Sequence, residues 1–107
     1  MNYLTRKEEM ILLTILKLRG QAGLVQIRKE LIALTGEEWT VGNVYVPLDR
    51  MSKHGYLSVY IGKPTSRRGG KAVKYYRLTS EAKKALAECK KIHETVWTGI
   101  RDTALEE

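Results

Sequence analysis

Residues 61–78 hold six cations, Lys63, Arg67, Arg68, Lys71, Lys74 and Arg77, with no acid, interleaved with Gly62, Pro64, Gly69 and Gly70. Unpaired Lys and Arg at this density suit a polyanion, because they meet phosphates and the released counterions drive binding. The same run also reads as a solvated loop whose charge aids solubility. A second group precedes it: Thr40, Gly42, Asn43, Tyr45, Val46, Arg50 and Lys53. An Asn amide can pair bidentately with adenine N6 and N7, and an exposed Val suits a thymine methyl. Gly42 has no side chain, so a phosphate or sugar can approach a helix start whose unpaired N–H groups already favour anions. Arg50 and Lys53, further along, are placed for phosphates rather than bases. Two of these residues also have structural readings, Asn43 as a local helix cap and Gly42 as a packing necessity. Asp49 is unfavourable near phosphates and is expected to pair with Arg50, Lys53 or a cation of the basic run. Tyr45 flanks the apolar stripe and reads as core packing with its hydroxyl at the rim.

Other chemistry finds little to work with. Cys89 is the only cysteine and the two histidines, His54 and His93, lie far apart without ligand-like neighbours, so neither a metal site nor a catalytic cluster is expected. No glycine loop is followed by Lys and Ser/Thr before a helix, and Gly69-Gly70 fits a hairpin tip better than a nucleotide loop. No enzyme and no cofactor are expected. The 107 residues, 43% of them hydrophobic, fit one modest core, and the net charge is +7. No apolar run approaches the ~18 to 20 residues of a membrane span, and no leader pattern follows Met1, so a cytoplasmic protein without membrane contact is expected.

The positioning elements follow from periodicity. Thr5 with Glu8 is a capping box, opening a largely buried helix through Met10 to Leu18 that ends near Gly20. Leu24, Ile27, Leu31 and Leu34 step by three, four and three along a second helix stopped at Gly36, with Gln26, Arg28, Lys29 and Glu30 on its outer face. Thr40 caps a third helix to about Lys53, with Val41, Val44, Leu48 and Met51 inward, a bend at Pro47 and termination at Gly55. The opposite face of that helix carries Gly42, Asn43, Val46, Asp49, Arg50 and Lys53.

The period then changes. Leu57, Val59 and Ile61 alternate with Tyr56, Ser58 and Tyr60, and Val73 to Leu78 is a second extended run, which makes the basic segment the tip of a hairpin leaning on the helices. Thr79 or Ser80 opens a last helix whose Ala82, Leu86, Cys89, His93, Val96 and Ile100 form a heptad seam suited to a partner helix. Cys89 is read as a small buried seam residue, and His93 as either a packed imidazole or a pH sensor. The fold class is mainly α with a small β-hairpin: a winged helix-turn-helix over residues 1–79, a dimerisation helix over 80–101 and a frayed tail over 102–107.

The run Val44-Tyr45-Val46-Pro47-Leu48-Asp49-Arg50-Met51-Ser52-Lys53-His54-Gly55-Tyr56-Leu57 is followed by Arg68-Gly69-Gly70-Lys71 and Lys74-Tyr75-Tyr76-Arg77-Leu78-Thr79. It resembles the PadR-like transcriptional regulators, over roughly Leu4 to Leu86. Gly23, Ile27, Arg28, Glu30 and Leu31 resemble the second-helix pattern of the group, with Ala22 where an aromatic often stands. The resemblance implies a homodimeric winged-helix repressor, its third helix and wing on an inverted-repeat double-stranded DNA operator and its last helix as the dimerisation arm. It carries over Asn43, Tyr45 and Arg50 as recognition-helix positions and Arg68, Gly69, Gly70 and Lys71 as the wing tip. Leu86, Cys89, His93, Val96, Trp97 and Ile100 then form the dimer interface. Trp97 either anchors the dimer or covers the first helix, or, as in multidrug-sensing relatives, lines a site for a small hydrophobic effector. The competing function is a winged-helix protein-interaction module whose basic wing docks on an acidic partner.

Overall fold

The computed structural model describes residues 3–62 and 72–106. Its elements are α1 (Arg6–Lys17), α2 (Leu24–Thr35), α3 (Val41–Lys53), β1 (Leu57–Ile61), β2 (Lys74–Leu78), α4 (Ser80–Trp97) and a short 3-10 helix, Asp102–Glu106. This is the expected order of three helices, hairpin and helix. α1 is the central element, packing on α2, α3, β2 and α4.

The capping box forms: the Glu8 N–H donates to Thr5 Oγ1 at 3.1 Å and the Thr5 N–H to Glu8 Oε1 at 2.8 Å. Ile11, Leu12 and Ile15 are buried, and so is Thr14, whose hydroxyl donates to the Met10 carbonyl at 2.7 Å. The rest of the apolar stretch is not buried as the sequence suggested. Leu13 and Leu16 are 43% and 45% exposed, because a helix covered on one flank buries only the stripe that faces its neighbours.

On α2, Ile27 and Leu31 face the core, whereas Leu34 is 51% exposed. Leu34 stands in the last turn before the left-handed Gly36, and Trp39 supplies the core residue at that end instead. α3 buries Val44, Pro47, Leu48 and Met51 and runs through Pro47 without interruption. Val41, expected inward, is 56% exposed, since it is the first residue of the helix and lies above the core. Trp39 and Val44 both belong to the core cluster and bracket the Thr40 cap, the arrangement of a hydrophobic staple.

β1 and β2 pair antiparallel from Leu57 opposite Leu78 to Ile61 opposite Lys74. Of the alternating residues Leu57, Val59 and Ile61, only Leu57 is buried; Val59 and Ile61 are exposed. The successive residues Tyr75 and Tyr76 of β2 are both buried. Tyr75 stacks on Tyr60 with ring centres 5.4 Å apart, and the Tyr76 N–H donates to the Ala22 carbonyl at 3.0 Å, which ties the α1–α2 connection to the free edge of β2. Thr79 caps α4 and its hydroxyl also donates to the Gly55 carbonyl at 2.7 Å.

Ala82, Leu86 and Cys89 of the seam are buried against the body. His93 and Val96 are exposed on the same helix, and Ile100 lies beyond it, because α4 ends at Trp97 and the chain turns through Gly99 with φ 85°. Asp102–Glu106 form a 3-10 helix, and none of its residues is buried. No helix among the described residues is long and apolar enough to cross a membrane.

Candidate nucleic-acid interface

The helix-turn-helix is set by what lies between α2 and α3. Trp39 is 3% exposed and its indole N–H donates to Thr35 Oγ1 at 3.0 Å. Arg28, read from the sequence as an outer-face residue, is half-buried and donates from Nε to the Trp39 carbonyl at 2.5 Å. The next residue, Thr40, accepts from the Asn43 N–H at 3.1 Å. Thus the start of α3 is fixed from below by an aromatic residue, an arginine and a cap, none of which occupies the outward face.

That face is open. Gly42, Asn43, Tyr45, Val46 and Arg50 are exposed, with Tyr45 at 45% and Val46 at 56%. Among the described residues the Asn43 side chain has no hydrogen-bond partner; the cap belongs to Thr40, so the capping reading of Asn43 fails. Tyr45 is not the core residue expected, because Val44 and Leu48 fill the inward stripe and leave it at the flank. Pro47 has no N–H to donate to the carbonyl of Asn43, which keeps an extra acceptor at the start of the helix.

Gly42, Asn43, Val46 and Arg50 line one shallow cleft of about 320 Å³, and Lys7 of α1 closes its other side. Lys7 Nζ lies 6.0 Å from the centre of the Trp39 ring. Sequence reasoning missed Lys7 because nothing local connects it to α3. Asp49 takes Lys53 as its partner at 3.0 Å, one of the pairings foreseen, and that hydrogen bond holds the Lys53 pKa above its ordinary value. Lys53 therefore meets the outward face already engaged.

A second cleft, about 430 Å³, lies between the start of α2, α3 and β2, with Gln26, Tyr45, Lys74 and Tyr76 in its walls. Gly23 gives α2 no side-chain cap. Lys74 is exposed at the end of β2. Arg67, Arg68, Gly69, Gly70 and Lys71 lie outside the described residues.

The seam residues are brought together only in part. Leu86 and Cys89 are each 9% exposed, and burial, followed by the Glu9 carboxylate, raises the Cys89 thiol pKa. His93 Nε2 stands 3.2 Å from Glu9 Oε2, bridging α4 to α1. Val96, Trp97 and Ile100 are 70%, 54% and 51% exposed, so Trp97 is no core residue of this chain. A groove of about 360 Å³ runs between α1 and α4, with an apolar floor of Leu13, Leu16, Leu86 and Ala87. Leu13 and Leu16 were missed because an unbroken apolar run hides which side faces solvent. Among the described residues no group of three or more His, Cys, Asp or Glu side chains is arranged to hold a metal ion.

Comparison with known proteins gives the fold a context. A family model described as the transcriptional regulator PadR-like family matches residues 12–88. Among solved structures, RosR of H. salinarum superposes with a TM-score of 0.67 at 22% identity, over 96% of this chain and 86% of the other. A PadR family transcription regulator from Clostridium difficile gives 0.62 at 23% identity, over 92% and 95%. Bordetella bronchiseptica BpsR, whose DNA binding is regulated by 6-hydroxynicotinic acid, gives 0.60 at 16% identity, over 94% and 70%. No curated relative matches the sequence.

Proposed function

This chain belongs to the transcriptional regulator PadR-like family, and from that premise we propose that it is a sequence-specific DNA-binding repressor, acting as a homodimer on an inverted-repeat operator and answering to a small hydrophobic molecule. The observation that carries the reading is the outward face at the start of α3. Asn43 and Val46 are exposed there, the Asn43 side chain without a hydrogen-bond partner among the described residues, beside Lys7 and Arg50, on a helix capped by Thr40. That combination supplies base-reading groups flanked by phosphate-binding cations. Thr40 and Gly42 shape the approach, Tyr45 and Lys74 flank the second cleft, and Lys53 reaches a phosphate by exchanging Asp49 for it. In the basic run, Arg67, Arg68, Gly69, Gly70 and Lys71 act as the wing, gripping the backbone.

Residues 1–79 then form the half-site reader and residues 80–101 the arm. Two observations support a dimer: the apolar floor of Leu13 and Leu16 beside α4, and the bare end of that helix at Val96 and Trp97. Linking two readers multiplies their affinities and explains an inverted-repeat target. In BpsR a small molecule regulates DNA binding; here the exposed Trp97 is the reporter of such an effector, and quenching of its fluorescence by planar hydrophobic compounds, with no response across a dye panel as the opposing result, tests that element.

The reading as a whole is tested by a gel shift on the promoter of the protein's own gene. A discrete complex that weakens steeply with salt is expected. Equal affinity for every duplex, or none, would overturn it in favour of the acidic-partner module.

A further inference from the structure

We propose that the cleft where the end of α1 meets the base of the hairpin and the start of α4 binds a small phosphate-bearing molecule. No residue of α3 lines it, and it does not depend on the DNA-binding reading. The cleft measures about 350 Å³ and receives three cations from three elements: Arg19 after α1, Arg77 from β2 and Lys83 from α4. No acid lines it, and among the described residues none of the three has an ion-pair partner. Glu81, the acid of the first turn of α4, is turned to Lys84 at 3.9 Å. Lys83 also stands near the N-terminal, positive end of α4, which favours an anion there.

One of the cations is also held. The Arg77 guanidinium lies 4.3 Å from the centre of the Tyr60 ring, and stacking on that face leaves its in-plane N–H groups for a ligand. Tyr60 is itself fixed, because its hydroxyl donates to the Gly20 carbonyl at 2.7 Å. Arg19, immediately before Gly20, has φ 46°, the only positive φ at a non-glycine position among the described residues. A helix exit of this kind ordinarily carries glycine, since a Cβ strains the left-handed conformation. The arginine at this strained position lines the cleft.

The forked donors of two arginines match phosphate oxygens bidentately, and the ammonium of Lys83 adds a point charge. Leu16 and Leu78 give the cleft an apolar side that suits an organic body on the phosphate.

The test is a titration of the free, isotope-labelled full chain with phenyl phosphate at constant ionic strength, following backbone amides, with phenol as the uncharged control. Saturable shifts are expected at Arg19, Gly20, Arg77 and Lys83 and none at Asn43 or Val46, with phenol inactive. Arg19→Gly keeps the left-handed turn and relieves its strain, so that variant is expected to melt no lower than the parent while binding phenyl phosphate at least ten-fold more weakly; Arg77→Gln is expected to behave alike in binding. Unchanged affinity in Arg19→Gly, or unsaturable shifts spread over Arg50, Lys53 and Lys74 as well, would overturn the proposal. Shifts at the cleft produced by duplex DNA and not by phenyl phosphate would overturn it too, assigning the cations to the DNA backbone.

Discussion

A Cβ built on Gly42 meets only the Thr40 hydroxyl oxygen, at 4.0 Å, so the fold itself does not require glycine at that position. The packing reading of Gly42 thereby fails and the close-approach reading gains. Gly42→Ala is expected to leave thermal stability unchanged or raised by up to about 1 kcal/mol, as alanine favours helix, while operator affinity falls about ten-fold; a drop in melting temperature with intact binding would reverse the assignment. Lys7→Ala and Arg50→Ala are expected to weaken all duplexes alike and each to lower the log–log salt slope by about 1, measured by fluorescence anisotropy at several salt concentrations. Asn43, Val46 and Gly42 were legible in the sequence because helical phase alone separates them from Val44, Leu48 and Met51. Lys7, Trp39 and Arg28 were not, since each acts across the turn of the fold. Trp39 had a readable signal nonetheless, an aromatic just before a cap with Val44 four residues into the helix.

Among the elements, α3 depends on its cap and its staple. Thr40→Ala removes the acceptor for the Asn43 N–H and is expected to cost about 1 kcal/mol, read as a lower melting temperature and a weaker operator complex. The hairpin base and α4 share a different sensitivity. Burial is the first cause raising the pKa of both Tyr76 and Cys89 above their ordinary values of 10.0 and 9.0. The folded state therefore favours their neutral forms. Their contribution is complete below the ordinary values and is lost as pH rises through the raised ones. Urea midpoints are expected to hold from pH 7 to about 9 and to fall above about 10, where a flat profile would contradict the burial of both groups. Element order and caps were readable because Thr5, Thr40, Thr79, Gly36 and Gly55 punctuate the chain. The exposure of Leu34, Val41, Val59 and Ile61 was not, because period reports which residues share a face and not how far the neighbouring element extends along it.

At the scale of the molecule, charge and apolar surface divide the work. Of the net +7, the six cations of residues 61–78 fall in and around the hairpin, while residues 37–60, which contain α3, hold two Lys/Arg against three acids. Exposed apolar residues also line the α1–α4 groove and the end of α4. Sedimentation velocity at tens of micromolar is expected to show a dimer, and Leu13→Glu with Leu16→Glu to return it to monomer; a monomeric parent chain would contradict the assembly. On the proposed function, cations other than Arg77 hold the protein on DNA while a few uncharged residues of α3 choose the sequence. The most direct measurement of that claim is the ratio of affinities for the operator and a scrambled duplex at fixed salt, in the parent chain, Asn43→Ala and Arg68→Ala. The account predicts that Asn43→Ala loses about 1 to 3 kcal/mol of discrimination, with scrambled-duplex affinity unchanged, while Arg68→Ala weakens both duplexes and keeps the ratio. A ratio near one in the parent chain, or one that Asn43→Ala leaves intact, would contradict it.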